Sequence, residues 1–189
     1  MGPRSHGKEM EKTKISEVAL GLGSNLGDRL QNIYEGIRKL TDSTAVRLER
    51  ISSVYESKAM GFNGPDFLNM TVLIKTHLNP FELLTHCQNI EKSLGRSFRK
   101  NRSETYQSRS IDIDILTFGN ITVDHEHLKI PHPEIYKRDF VLIPLVELGI
   151  LSSPIASETT ETPKLQALEQ NLKLNLTYTS ELKCSLSLD

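Results

Sequence analysis

Arg109-Ser110-Ile111-Asp112-Ile113-Asp114-Ile115-Leu116-Thr117-Phe118 alternates apolar and polar residues at period two and is rich in isoleucine. The pattern predicts a strand with Ile111, Ile113 and Ile115 on one face and Asp112 and Asp114 on the other. Two carboxylates then project from the same side, roughly 7 Å apart at the backbone, and side chains at that separation can converge on hard cations. Mg2+ is the natural candidate, because it takes oxygen ligands and is usually held by one or two carboxylates together with substrate phosphates. Taken alone, a D-x-D strand is better explained as a solvated sheet face. Its neighbours shift the balance.

Directly upstream, Arg96, Arg99, Lys100, Arg102 and Arg109 crowd a stretch with a single phenylalanine and no helical or strand period. An isolated run of this kind is usually a solvated loop. Placed before two candidate metal carboxylates, it supplies the cations that a polyphosphate needs for charge neutralisation, and a mobile basic loop is expected there. Downstream, Gly119-Asn120 turns the chain, Ile130-Pro131-His132-Pro133 is extended and proline-fixed, and Asp139 is placed to cap a helix reaching about Leu148.

On the N-terminal side, Val18, Leu20 and Leu22 alternate into Gly23-Ser24-Asn25-Leu26-Gly27, a strand entering a glycine-bearing turn, with Asp28 as a helix cap. Leu30, Ile33, Ile37 and Leu40 then fall three and four apart, which predicts an amphipathic helix from Arg29 to Leu40. Val46 to Tyr55 reads as a strand whose alternation slips near Ile51-Ser52-Ser53, so a bulge is expected. A Gly- and Pro-containing loop from Ser57 to Pro65 leads to a mostly apolar strand, Phe67 to Thr76. Asn79-Pro80 opens a second helix with Phe81, Leu84, Cys87, Ile90 and Leu94 on its buried face, and Gly95 ends it. The order is strand, helix, strand, strand, helix, strand. It predicts an α+β chain of the ferredoxin-like βαββαβ type, an antiparallel sheet with covering helices.

At 189 residues and 37% hydrophobic content the chain suits one domain with a real core. That domain is expected over 15–175, after a polar lead-in at 1–14 and before a tail at 176–189, with Leu165, Leu168 and Leu172 suggesting a short helix. A formal net charge of −1 offers no general electrostatic case for nucleic acid or an anionic membrane. Cys87 and Cys184 are far apart and outside any metal-binding spacing. With no apolar leader and no run of membrane-spanning length, the expectation is a soluble, cytoplasmic monomer acting on small molecules.

Four segments carry a resemblance when taken together: Gly23-Ser24-Asn25-Leu26-Gly27-Asp28; Ser52-Ser53-Val54-Tyr55 through Gly64-Pro65-Asp66-Phe67-Leu68-Asn69; the Arg109–Leu116 strand; and Pro131-His132-Pro133 through Lys137-Arg138-Asp139-Phe140-Val141. In this order and at these separations, over about residues 16 to 150, the chain resembles the 6-hydroxymethyl-7,8-dihydropterin pyrophosphokinases. The resemblance implies transfer of pyrophosphate from MgATP to the dihydropterin hydroxymethyl group, releasing AMP, with two Mg2+ ions. It assigns Asp112 and Asp114 to the metals and Arg96 and Arg109 to the polyphosphate. Phe67 and Phe140 would sandwich the pterin, Asn69 would bond its edge, and Ser57 and Met60 would complete that edge. Gln88, Glu91, Ile115, Lys129, His132 and Arg138 match nucleotide-side positions. Where the family commonly has Trp-Gly-Pro-Arg before the metal strand, this chain has Tyr106-Gln107-Ser108-Arg109.

Two other classes fit parts of the pattern. A nucleic-acid-binding module on the same scaffold would stack bases on aromatic residues of a central strand, where this chain has Asp112 and Asp114, which repel a phosphate backbone. A two-metal nucleotide hydrolase would use the carboxylates but has no need of Phe67, Asn69 and Phe140.

Overall fold

The computed structural model describes residues 14–59, 63–95 and 108–152. The elements follow in the order β1 (Ser16–Ser24), α1 (Arg29–Thr41), β2 (Val46–Ile51), β3 (Tyr55–Ser57), β4 (Phe67–Thr76), α2 (Pro80–Ser93), β5 (Asp112–Phe118), β6 (Val123–His125), β7 (Leu128–Ile130) and α3 (Asp139–Glu147). The main sheet has the order β2-β4-β1-β5, with β3 also pairing with β4, and every pairing is antiparallel. Counting β2 and β3 as one interrupted edge strand, this is the ferredoxin-like arrangement. β6 and β7 form a separate hairpin.

The helix ends follow their sequence signals. Asp28 accepts a hydrogen bond from the Gln31 N–H at 3.0 Å and so satisfies a donor left open by the first turn of α1. Asn79 accepts from the Phe81 and Glu82 N–H groups while Glu82 accepts from the Asn79 N–H, a capping box with Pro80 in the first turn of α2. Two expectations need correction. Phe81 is not on the buried face of α2: it is 45% exposed, packs edge-on against His125, and leaves the fully buried Leu83 to head the stripe with Cys87 and Ile90. Asp139 is the first residue of α3 rather than its cap; Arg138 holds the cap position and makes no side-chain capping bond.

The expected slip in the first edge strand is a break between β2 and β3. There the Ser52 backbone N–H donates to the Thr71 carbonyl and the Ser52 hydroxyl accepts from the Thr71 N–H, both at 2.9 Å, in place of ladder bonds. β5 also carries an irregularity. Its register against β1 shifts between Ala19 and Leu20. Ile111, Ile113, Ile115 and Phe118 therefore pack in the main core with residues of α1 and α2, while Leu116 joins Ala19, Ile135 and Leu145 in a smaller cluster on the other side of the sheet. One face of the sheet is closed by two helices. The other is covered by α3 and the segment leading into it, and that cover is incomplete.

No helix among the described residues is long and apolar enough to cross a membrane. The expected short helix around Leu165–Leu172, most of the basic loop and all of the lead-in except Lys14 lie outside the described residues.

Candidate active site

The gap in that cover is a cavity of about 380 Å³ over β1, β4 and the start of β5, walled on one side by residues 132–134 and the first residues of α3. Its floor needs glycine. Gly23 lies in register with Asn69, and a Cβ there would stand 3.3 Å from Asn69 Oδ1 and 3.7 Å from Phe67 Cδ1; one on Gly21 would meet Leu116 at 3.3 Å. Any larger residue would fill the space or push its lining. This pair of alternating glycines on an apolar strand is a signal that sequence reading could have used and did not.

At one end of the cavity, Phe67 and Asn69 project from β4 and Ser57 from β3, while Phe140 enters from α3. Asn69 is buried, and its Nδ2 donates to Ser57 Oγ at 2.9 Å and to the Tyr55 carbonyl at 3.5 Å. Those two acceptors fix the orientation of the carboxamide. The Arg138 guanidinium lies 5.8 Å from the centre of the Phe140 ring, a cation–π contact between two residues that both line the cavity.

At the other end stand Arg109, Asp112, Asp114 and His132. Arg109 Nη1 donates to Asp112 Oδ2 at 2.6 Å. Its backbone is clamped by Asn25, a residue that sequence reading placed only in a turn: Asn25 Oδ1 accepts from the Arg109 N–H at 2.8 Å, and the Asn25 N–H donates to the Arg109 carbonyl at 3.2 Å. Asn25 Nδ2 also donates to Ser108 Oγ and to the Pro65 carbonyl, so one buried amide joins the β4 approach to the β5 approach. His132 Nδ1 accepts from the Glu134 N–H at 3.3 Å, which leaves Nε2 to carry the proton of the neutral ring. Burial holds this imidazole below its ordinary pKa and Arg138 adds to the effect, against the opposing pull of Glu134 and Asp112. Glu134, which sequence reading also missed, bonds Lys137 at 3.2 Å and Arg138 at 3.1 Å; these cations, Lys137 first, hold its carboxyl low.

Nine of the sequence-predicted residues thus meet around one cavity: Ser57, Phe67, Asn69, Arg109, Asp112, Asp114, His132, Arg138 and Phe140. Four others do not line it. Gln88 is on the exposed side of α2. Glu91 is buried and accepts from the Ile113 N–H at 2.8 Å, satisfying β5 on the side away from β1. Ile115 buries its side chain in the main core, and Lys129 pairs with Asp124 at 2.7 Å on the β6–β7 hairpin. Met60 and Arg96 lie outside the described residues.

Residues 19–150 match the family model described as 7,8-dihydro-6-hydroxymethylpterin-pyrophosphokinase. The chain belongs to this family. Two 2-amino-4-hydroxy-6-hydroxymethyldihydropteridine pyrophosphokinases illustrate the closeness. That of Bacillus subtilis is 43% identical over 130 residues, 68% of this chain and 75% of the relative. That of Aquifex aeolicus is 44% identical over 135 residues, 71% and 81% of the two chains. Among solved structures, the wild-type Plasmodium falciparum HPPK-DHPS protein with SDX-DHP superposes with a TM-score of 0.52 at 18% identity, covering 71% of this chain and 41% of that one. At that identity the likeness speaks for the fold, and it agrees with the ferredoxin-like sheet.

For this pyrophosphokinase-family chain the donor chemistry can be tested against Mg2+. Asp112 and Asp114 present carboxylate oxygens from one face of β5 into the same cavity. No group of three or more His, Cys, Asp and Glu side chains suited to a metal occurs among the described residues. Two acids without imidazole or thiolate suit a hard cation that fills its remaining positions with water and phosphate oxygens.

Proposed function

We propose that this cavity is the site at which the chain carries out its family's reaction, transfer of pyrophosphate from ATP to 6-hydroxymethyl-7,8-dihydropterin, giving AMP and the dihydropterin diphosphate in tetrahydrofolate biosynthesis. The observation that carries the assignment is the pairing, in one cavity, of an aromatic and carboxamide end (Phe67, Asn69, Phe140) with a cationic and carboxylate end (Arg109, Asp112, Asp114). A flat heterocycle with an amide-like edge suits the first, and a polyphosphate suits the second.

In this reading Phe67 and Phe140 hold the two faces of the pterin, and Asn69, with Ser57 and Met60, bonds its edge. The hydroxymethyl group then points towards Arg109. Asp112 and Asp114 would hold two Mg2+ ions, which when bound neutralise polyphosphate charge. Arg109 and Arg96 add cationic charge where negative charge develops, and the neutral His132 donates through Nε2 to a phosphate oxygen, with Arg138 beside it. Gln88, Glu91, Lys129 and the backbone of Ile115 serve the nucleoside end from outside the cavity. Acceptor and donor are held in place and no protein nucleophile is needed. A cytoplasmic monomer acting on two small molecules completes the proposal.

The product decides it. AMP should form one-for-one with the pterin diphosphate, without ADP, and only when pterin is present. Rapid-quench chromatography that finds ADP as the main product, or AMP released at the same rate without pterin, overturns the assignment.

A further inference from the structure

Glu147, the last residue of α3, reaches back across the sheet to the gap between β2 and β3. Its carboxylate accepts from the Ser53 N–H at 2.9 and 3.0 Å through its two oxygens, from Ser53 Oγ at 2.8 Å, and from Tyr55 Oη at 2.8 Å. Ser53 falls where the edge strand is interrupted, so its N–H needs a partner other than the sheet ladder. Immediately beyond α3, the Leu148 carbonyl accepts from Arg50 Nη1 at 2.5 Å, a second tie, this one to β2.

The two ends of this clasp lead to opposite walls of the cavity. Phe140 is at the start of α3, seven residues before Glu147, about two turns away along the same helix, with Pro144 between them. Tyr55 begins β3, which pairs with β4 so that Tyr55 faces Asn69 and Ser57 faces Phe67. Pinning the far end of the helix to β3 therefore bears on where its near end holds Phe140 in the cavity that Phe67 and Asn69 also line. None of the described residues at the Arg109, Asp112 and Asp114 end is bonded to Glu147 in the clasp.

We infer that Glu147 is a positioning residue that sets the gap of the aromatic sandwich, and so governs the affinity for the flat heterocycle far more than that for ATP. The inference rests on the cavity being the pterin site. Without the clasp the helix end keeps the Arg50–Leu148 bond but loses its bonds to Ser53 and Tyr55, so Phe140 can shift, and sub-ångström to ångström displacements of a positioning wall have large consequences for a ligand held between two planes.

The test measures two ligands separately, by calorimetry on the full chain: 6-hydroxymethylpterin, the oxidised analogue of the acceptor, and an α,β-methylene analogue of ATP with Mg2+. Glu147→Ala should weaken the pterin analogue about tenfold and leave the nucleotide analogue within about twofold, with KM for pterin rising more than kcat falls. Glu147→Gln keeps one acceptor oxygen and should recover part of the loss. Tyr55→Phe, which removes one arm of the clasp and keeps its packing, should show a smaller loss of the same selectivity, and it decides the matter if Glu147→Ala does not fold. Unchanged pterin affinity in these variants, or an equal loss for both ligands, overturns the inference. Wild-type chain that fails to bind the pterin analogue overturns the reading of the cavity and this inference with it.

Discussion

The two faces of the sheet are made by the same strands and have opposite chemistry. Towards α1 and α2, β5 contributes Ile111, Ile113 and Ile115 to a core that also takes Leu20, Leu22, Val72 and Ile74, all buried. Towards α3, residues of the same strands leave glycine, carboxylate and asparagine around an open cavity. The first face is chosen for stability: apolar area, close packing and capped helices. The second keeps two acids near each other and a floor without side chains, neither of which stabilises a fold. One strand alternating between the two purposes lets the helix-covered core hold the cavity face rigid.

The largest effect should come from neutralising the acids of the open face. Asp112→Asn together with Asp114→Asn should lower AMP formation by about 10³-fold, from several kcal/mol of lost charge stabilisation, while the thermal midpoint stays level or rises. A double variant that turns over normally would end the metal assignment.

One residue away, the opposite outcome is expected. Ile113→Ala removes buried methylenes from the closed face and should cost about 2–5 kcal/mol of stability, with the chain that remains folded still binding both ligands. Denaturant unfolding alongside ligand titration checks it; a variant as stable as the parent but defective in binding would erase the distinction between the faces.

Phe140→Ala sharpens the comparison within the open face. Loss of one wall should weaken the pterin analogue by about 1–3 kcal/mol and leave ATP-analogue binding nearly unchanged. Equal loss for both ligands would make Phe140 a packing residue of α3.

The smallest expected effect is in pH dependence. Burial, with the Glu147 carboxylate adding to it, pushes the Tyr55 phenol up to about 12 from an ordinary 10. The folded chain therefore favours the protonated phenol more than the unfolded chain does. Its contribution to stability is fully present below pH 10 and fades as pH rises towards 12. Stability of the wild type should fall more steeply across that window than that of Tyr55→Phe; parallel curves would mean the phenol feels no such environment.

Much of this was readable in advance because it is local. Period-two isoleucines, the Asn79-Pro80 cap, the Asp28 cap and the slip at Ser52-Ser53 each concern residues within a few positions of one another, and each appears in the structure where the pattern placed it. The misreadings have local causes too. Phe81 has helical spacing but stands in the first turn of α2 beside the β6–β7 hairpin, where an exposed ring finds His125. Phe118 breaks the alternation of β5: Leu116 stays on the face of Asp112 and Asp114, and the register shift against β1 then returns Phe118 to the core face, a pairing that no run of residues in β5 announces.

By itself, the sequence determined the order of the main-sheet strands and the helices, though not the β6–β7 hairpin, together with the fold class, the face on which Asp112 and Asp114 stand and, through its ordered motifs, the family. Only the tertiary structure decided which of the candidate residues share a cavity. It brought Phe67 and Phe140 to the lining of one cavity, left Glu91 bonded to the Ile113 N–H outside it, and placed Asn25 between Pro65, Ser108 and Arg109. It also paired Glu147 with Ser53 and Tyr55, more than 90 positions apart in the chain. Periodicity and capping are encoded by neighbours along the chain, whereas such long-range partners are fixed only when sheet register and helix packing bring distant segments within hydrogen-bonding reach.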